Sequence, residues 1–452
     1  MESTGNSEQS QESQESPQSQ PILLQSLQGT RDFYPEDMAI RNWLFGQFRH
    51  TSKLYGYSEY DAPILEPTNL YTRKGGDDIL KEMYAFTTGE GTSVCLRPEM
   101  TPSVARMVMA TWRGAVTPMK LFSIPQCWRF ETTTRGRKRE HYQWNVDIFG
   151  AEKIKSEFEI LSMIIKFFKQ IGLTNDDVVI KISNRMILQK VLTNLNVETD
   201  KLERTFNIID KIKKVTHEEL SAMLMMEIGI SQEAVDTIVS LTKITDISEL
   251  RQFVGDNDET LNELMEIFAL MKNCGFDSWL QFDASIVRGL SYYTGMVFEG
   301  FFKNSTLQRS ICGGGRYDNL LQKYGYNESV PAVGFGFGDV VIIDVLAELG
   351  KLPQLNLGVD YCVIYYSEDL YPAACVIAEK IRDQNKTVTL HIKCERLRLA
   401  FAYADTIGAE YAILVAPDEF SKNQIVVKNL RTKTEKERKV GIDEYIDTIR
   451  IH

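Results

Sequence analysis

Histidine is scarce in this chain: among 452 residues there are five, and no two stand in HxxxH spacing. That argues against a zinc site built from paired imidazoles. The seven cysteines (Cys95, Cys127, Cys274, Cys312, Cys362, Cys375 and Cys394) form no CxxC pair. An odd, dispersed set argues for reduced thiols in an intracellular protein. No apolar run approaches the roughly 20 residues of a membrane span, so no membrane partner is expected. GxxxxGK[ST] is absent, and no GxGxxG opens a strand–helix unit, which removes the common phosphate and dinucleotide loops. No nucleophile–His–acid set follows from spacing. The first twenty residues contain neither Lys nor Arg. They lack the basic amphipathic character of a transit peptide and the apolar core of a signal peptide.

The composition is 43% hydrophobic and 25% charged, an ordinary globular mix, and the length suits two or three domains. Net charge is −11, yet residues 351–452 balance 15 basic against 15 acidic side chains, so the excess lies upstream. Bulk charge of this kind does not advertise nucleic-acid binding, although local patches can still serve. Residues 1–22 are a Ser/Gln/Glu-rich tail expected to be disordered.

Pro35 opens a helix with Glu36 and Asp37 in its first turn, and Gly56 ends it. SEYDAPIL (58–65) then reads as a strand, and the segments around Gly89–Gly91 read as a hairpin. To residue 150 the pattern is strand-rich with few helices, which suggests an antiparallel sheet. From Arg185 to about Phe276 it is mostly helical and free of proline. Strand character returns at QFDASIV and YYTGMVFEGFF. After PQLNLG the rhythm becomes strand–helix–strand, an α/β domain of about 95 residues. Its last elements read as the strand QIVVKNL followed directly by a helix.

Residues 126–150 (QCWRFETTTRGRKREHYQWNVDIFG) carry the richest pattern. Tyr142, Trp144, Val146 and Ile148 share one face of a strand; Arg139, His141, Gln143, Asn145 and Asp147 share the other. Upstream, Trp128 and Phe130 alternate with Arg129 and Glu131, and the basic turn TTTRGRKR joins the halves. Alternation alone leaves two readings open, a solvated sheet face or a wall for an anionic, hydrogen-bonding ligand. Four further segments carry chemistry. In LRPEMTPSVARM, Glu99 and Thr101 could hold an ammonium group or could be an ordinary helix start. IVRGLSYYTGMVFEG sets Arg288 beside a glycine. CGGGRYDNLL and AVGFGFGDVVII lay glycines where a backbone, a base or a ribose could approach closely. Phosphoryl or nucleotidyl transfer asks mainly for cations and positioning. Arg97, Arg129, Arg137, Arg139, Arg288 and Arg316 could supply them.

Taken together, these segments closely resemble the histidyl-tRNA synthetase family of class II aminoacyl-tRNA synthetases, over about residues 28–452. GTRDFYPEDM resembles the family's opening, the helix running to DAPILEP its motif 1, and WRFE through QWNVDIFG its motif 2. VRGLSYYTGMVFE and CGGGRYDNL resemble its two histidine-specific signatures, and the wording is most similar to the bacterial-type enzymes of plant organelles. The resemblance implies an α+β catalytic domain with an antiparallel, class II synthetase-like sheet, interrupted by a helical insertion, plus a C-terminal α/β anticodon-binding domain. The expected boundaries are 23–184 and 281–352 for the catalytic parts, 185–280 for the insertion and 356–452 for the last domain.

The implied activity is a histidine–tRNA ligase. It activates L-histidine with ATP, as its Mg2+ complex and with no organic cofactor, to histidyl-adenylate and pyrophosphate. It then transfers histidine to the 3′ end of tRNA(His). By resemblance, Glu99, Met100, Thr101 and Gln143 hold the amino-acid end, and Asp147, Tyr292 and Tyr293 the imidazole. Arg129, Glu131 and His141 bind ATP, and Arg288 is the catalytic cation on the α-phosphate. A homodimer in the cytoplasm is expected, with a mitochondrion or other organelle as the alternative. Three departures stand out. Val340 and Val341 take the places of the Glu-Arg pair that usually ends motif 3, so that either another arginine, such as Arg137 or Arg139, compensates or ATP binds more weakly. His141 replaces an aromatic, and Ser291 a usual Asp. A regulatory relative that has lost catalysis would be expected to lack the Arg288 signature and the last domain, and both are present.

Overall fold

The computed structural model describes residues 24–72, 81–212, 215–287, 292–307, 309–432 and 437–450; the tail at residues 1–22 falls outside them. Two compact units emerge. One contains Arg41–Leu352; the other begins at Pro353 and includes Phe33–Ile40.

Pro35 occupies the first position of α1 (Pro35–Leu54), where its missing N–H costs nothing. The helix buries Leu44, Phe45, Phe48, Thr51 and Ser52 along one stripe. The first unit then lays down β1 (Ser58–Glu59), β2 (Leu65–Pro67), β3 (Ala85–Thr87), β4 (Ser93–Leu96), α2 (Thr101–Thr111), β5 (Met119–Ser123), β6 (Gln126–Trp128) and β7 (Glu140–Phe149). It continues through α3 (Lys155–Gln170), β8 (Val178–Asn184), β9 (Leu280–Phe282), β10 (Met296–Phe302), β11 (Ser310–Arg316), β12 (Ala332–Gly338) and α4 (Asp339–Glu348). Among the described residues the main sheet has the order β1-β5-β7-β12-β11-β10-β8-β9, with β6 attached to β7. Its interior pairings are antiparallel; β1–β5 and β8–β9 at the edges are parallel. SEYDAPIL is therefore not one strand. Pro63 has no donor to give a ladder, the buried Arg97 takes the Ala62 carbonyl at 2.6 Å, and the segment splits between two sheets.

One sheet face is dry. Trp144, Val146 and Ile148 of β7 pack with Phe335, Phe337 and the apolar face of α3. Phe48 of α1 stacks on Trp144 at 4.8 Å, and Ser52 Oγ accepts the indole N–H at 3.0 Å. Between β8 and β9 the helices run from Arg185 to Asn273, several of them started by a side-chain cap. Asn184, Ser231 and Asp258 accept helix N–H groups, and Thr216 with Glu219 forms a capping box. The opposite sheet face is covered at one end by α2, through Val104, Ala105 and Val108.

The C-terminal unit contains β13 (Tyr361–Tyr365), α5 (Tyr371–Arg382), β14 (Val388–Leu390), α6 (Leu397–Thr406), β15 (Tyr411–Val415), β16 (Gln424–Asn429), β17 (Arg438–Gly441) and α7 (Ile442–Arg450). The sheet order is β14-β13-β15-β16-β17, parallel over the first three strands and antiparallel beyond. The sequence reading passes over β17, because RKVG offers only one large apolar residue and its charges stay exposed.

Gly314 of β11 faces Phe298 on one side and Phe335 on the other. A Cβ there would stand 2.8 Å from both Phe298 Cζ and Phe335 Cα. Overpacking against backbone costs about 1–3 kcal/mol, so Gly314→Ala should lower the urea midpoint accordingly without changing the denaturant slope.

Candidate active site

The polar face of β7 looks into a cavity of about 370 Å³, lined by Gln143, Asn145 and Asp147 of β7 together with Glu99, Thr101, Arg129 and His141. The register explains how so many side chains fit. Asp147, Asn145 and Gln143 lie opposite Gly334, Gly336 and Gly338 of β12. A Cβ at Gly334 would collide with the Tyr317 hydroxyl and come within 2.8 Å of Asp147 Oδ1; one at Gly336 would overlap the Gln143 amide. The alternating glycines of β12 therefore make room first for the protein's own polar side chains. The bare sequence left that space open to a ligand base or ribose or to close packing.

Asp147 lies at the floor, buried, and the buried Tyr317 donates its hydroxyl to Oδ1. Burial raises the Asp147 carboxyl to about 7; the Tyr317 hydrogen bond pulls the other way and offsets part of the rise. Tyr292, Tyr293 and Tyr317 form an aromatic cluster beside it, with ring centroids 5.0, 5.8 and 6.3 Å apart. The Tyr292 hydroxyl donates to Glu99 Oε2 at 3.4 Å. Glu99 and Thr101 do not act as caps: α2 starts at Met100 with no side-chain cap. Met100 itself is buried, its sulfur 3.8 Å from Arg97 Nη1.

Arg129 stands where this cavity merges into a second one of about 1240 Å³. Its Nε donates to the Pro98 carbonyl at 2.9 Å, and Nη1 lies 3.7 Å from Glu131 Oε1. Glu131 also pairs with Arg137. His141 lines both cavities. Burial, then the charges of Arg129, Arg31 and Arg137, hold its pKa down at about 3, so the ring is neutral in any physiological buffer.

The structure divides the expected cations. Arg129 and Arg137 reach the cleft. Arg97 is buried on the Gln126 and Ala62 carbonyls and Asp61. Arg316 is buried between Glu157 and Asp318. Arg139 lies over the Phe130 ring at 4.1 Å and donates to the Gln28 carbonyl. Arg288 lies outside the described residues. Phe130 is 53% exposed because β6 stops at Trp128, so the first half of the 126–150 segment is a short strand and a turn rather than a full strand. Tyr317 and Glu299 line the inner cavity without having been expected there. Of these, Tyr317 left a trace in the sequence, as the aromatic that follows the glycine run and its arginine.

A family model for histidyl-tRNA synthetase matches residues 29–338, and one for an anticodon-binding domain matches residues 360–451. The chain belongs to the histidyl-tRNA synthetase family. It is 44% identical over 402 residues to the chloroplastic/mitochondrial histidine–tRNA ligase of Arabidopsis thaliana, covering 89% of this chain and 82% of that one. It is 34% identical to the histidine–tRNA ligase of Leptospira biflexa, covering 92% and 95%. The fold matches the crystal structure of histidyl-tRNA synthetase from a Nostoc species with a TM-score of 0.76 at 22% identity, over 95% of this chain and all of the other. The activity is that of a histidine–tRNA ligase, an aminoacyl-tRNA synthetase, carried on a class II catalytic sheet with a separate C-terminal anticodon-binding domain.

The Asp147 carboxyl makes stability depend on pH in a definite sense. Its folded pKa, about 7, lies above the ordinary value near 3.9. Between those values the folded protein holds a proton that the unfolded chain has released. This group's contribution is therefore most favourable below about pH 4 and declines as pH climbs through 7. Asp147→Asn should melt at a higher temperature than the parent at pH 8, and the gap should close toward pH 4. Thermal scans of the two proteins across that range provide the check.

Proposed function

We propose that L-histidine binds at the floor of the inner cavity and ATP, as its Mg2+ complex, spans the opening into the outer one. The observation that carries this reading is the buried Asp147–Tyr317 pair at the bottom of a cleft whose mouth holds Arg129. A desolvated carboxylate is a strong, directional acceptor for an imidazole N–H, and an arginine at the mouth suits a phosphate. In this reading Asp147 and Tyr293 address the two imidazole nitrogens, with Tyr292 beside them. Glu99, Thr101 and Gln143 receive the ammonium group, and Met100 carries the backbone between the first two. Arg129 takes the α-phosphate, Glu131 the adenine end, and neutral His141 stacks on the base.

The histidine carboxylate then attacks the α-phosphorus and pyrophosphate leaves. A fixed cation on the α-phosphate is most useful when the phosphorus is pentacoordinate. We assign that role to Arg288 by its place in the VRGLSYY signature. In the second step a ribose hydroxyl of the 3′-terminal adenosine of tRNA(His) attacks the histidyl carbonyl of the adenylate, forming the ester as AMP leaves. The basic turn Arg135–Arg139 would meet the acceptor end, and the C-terminal domain the anticodon. The functional division follows the expected boundaries: 23–184 with 281–352 for chemistry, 185–280 as insertion, 356–452 for the anticodon. We further propose a homodimer, which sedimentation would test. The free cysteines fit a reducing compartment, and the cytoplasm is our reading. The name of the Arabidopsis relative supports an organelle instead; fractionation of tagged protein decides between them.

ATP–pyrophosphate exchange should depend on histidine and on no other amino acid; equal exchange with a second amino acid would remove the imidazole-site assignment. Asp147→Ala should weaken discrimination, because a buried imidazole N–H left unpaired costs roughly 1–3 kcal/mol. Arg288→Ala should abolish exchange while the circular dichroism spectrum and melting temperature stay unchanged, and full retained exchange would place the catalytic cation elsewhere.

A further inference from the structure

The outer cavity is larger than one adenine needs, and its charge is uneven. Val340 and Val341, at the start of α4, contribute an uncharged part of its wall. Near the 134–137 turn, two guanidinium groups line it, those of Arg137 and Arg309. They come from segments more than 170 residues apart in sequence, the motif 2 turn and the approach to β11. The placement of Arg309 is built rather than incidental. Its Nη2 donates to Thr134 Oγ1 at 2.8 Å. Its stem crosses Gly136, where a Cβ would lie 3.3 Å from Arg309 Cδ and 3.1 Å from Leu307 Cδ2. Gly136 also has a positive φ of 75°, so both the turn and the crossing favour glycine.

Like charges held together call for an anion. Arg137 already pairs with Glu131. Burial and then the neighbouring Arg137 charge weaken the hold of Arg309 on its proton, and Glu131 opposes them in part. One carboxylate, Glu131, thus serves Arg129, Arg137 and Arg309 together, and the Thr134 hydroxyl occupies one of the five guanidinium donors of Arg309.

We propose that Arg309, together with Arg137, binds the terminal phosphates of ATP and the pyrophosphate released from it. This rests on the reading that ATP spans the two cavities. Arg139, the other arginine that the sequence offered for this duty, is held over Phe130. Pyrophosphate carries several oxygens at a spacing that two guanidinium forks can share, and charge-assisted bonds of this kind are the strong ones.

The test uses the full chain and two variants, Arg309→Ala and Arg309→Gln; the glutamine can keep a bond to Thr134 while losing the charge. Inorganic pyrophosphate binding is measured by calorimetry without histidine or ATP, and histidine-dependent exchange is measured alongside. Both variants should bind pyrophosphate about tenfold more weakly and show a similar rise in KM for ATP. KM for histidine and the melting temperature should not change, and Arg309→Lys should fall between parent and alanine. Unchanged pyrophosphate affinity in both variants overturns the proposal. So does a rise confined to KM for tRNA, which would mark Arg309 as a nucleic-acid contact. If the parent protein binds pyrophosphate but shows no exchange with histidine, the substrate reading fails, and the binding comparison still decides the role of Arg309.

Discussion

A carboxylate taken out of water has to be met by a donor, and the donor has to be given room. Asp147 satisfies the first demand through the Tyr317 hydroxyl. The second is satisfied far along the chain but on the adjacent strand, β12, by glycine at position 334, where any side chain would displace that hydroxyl. Gln143 stands in the same relation to Gly336. The glycine–aromatic alternation of β12 follows from this: its phenylalanines fill the dry face beside Trp144, and its glycines clear the wet one. One strand pair thus specifies both the core and the ligand wall, and a register slip of one residue would exchange them.

The arginines show the same economy of placement. Arg97 and Arg316 are spent on the scaffold, where they tie loops and strands together through buried carbonyls and carboxylates. Arg31 joins Glu140 at the start of β7 to Asp339 at the start of α4, at 2.7 and 3.0 Å. Burial raises the Asp339 carboxyl to about 6, with Arg31 opposing the rise. The arginines that line the cleft are a different set, Arg129, Arg137 and Arg309. A guanidinium in a buried scaffold role and one at the cleft wall look alike in sequence, and both kinds hold carbonyl or carboxylate partners here; what separates them is whether the group also lines the cavity.

Much of this was legible in the residues. Period-two alternation in β7 placed Trp144, Val146 and Ile148 on the dry face and Gln143, Asn145 and Asp147 on the wet one, because the side-chain period of a strand is local information. The helices between Arg185 and Asn273 were legible for the same reason. What escaped was what depends on distance through space. Phe130 was placed in a strand that ends two residues earlier. The β12 glycines were left between a ligand and close packing against the protein, since nothing local shows that Tyr317 reaches across to them. Arg309 has no motif of its own; its position becomes meaningful only when β11 is laid beside the basic turn. The strand β17 escaped because its residues are charged and its pairing is supplied by β16.

The helices between β8 and β9 interrupt the sheet in sequence, yet their buried side chains belong to the same apolar cluster as β7, β12 and α3. Helix Glu259–Asn273 rests on α3 and β8, and Trp279 stacks on Phe168 with the two rings 3° from parallel. Excising the segment would therefore strip a hydrophobic surface from the sheet rather than trim a loop. Melting the segment would weaken the same core that supports the dry face of β7. In folding terms the interruption and the sheet form one cooperative body, which makes the order of the distant helices a quantity that the ligand wall can sense.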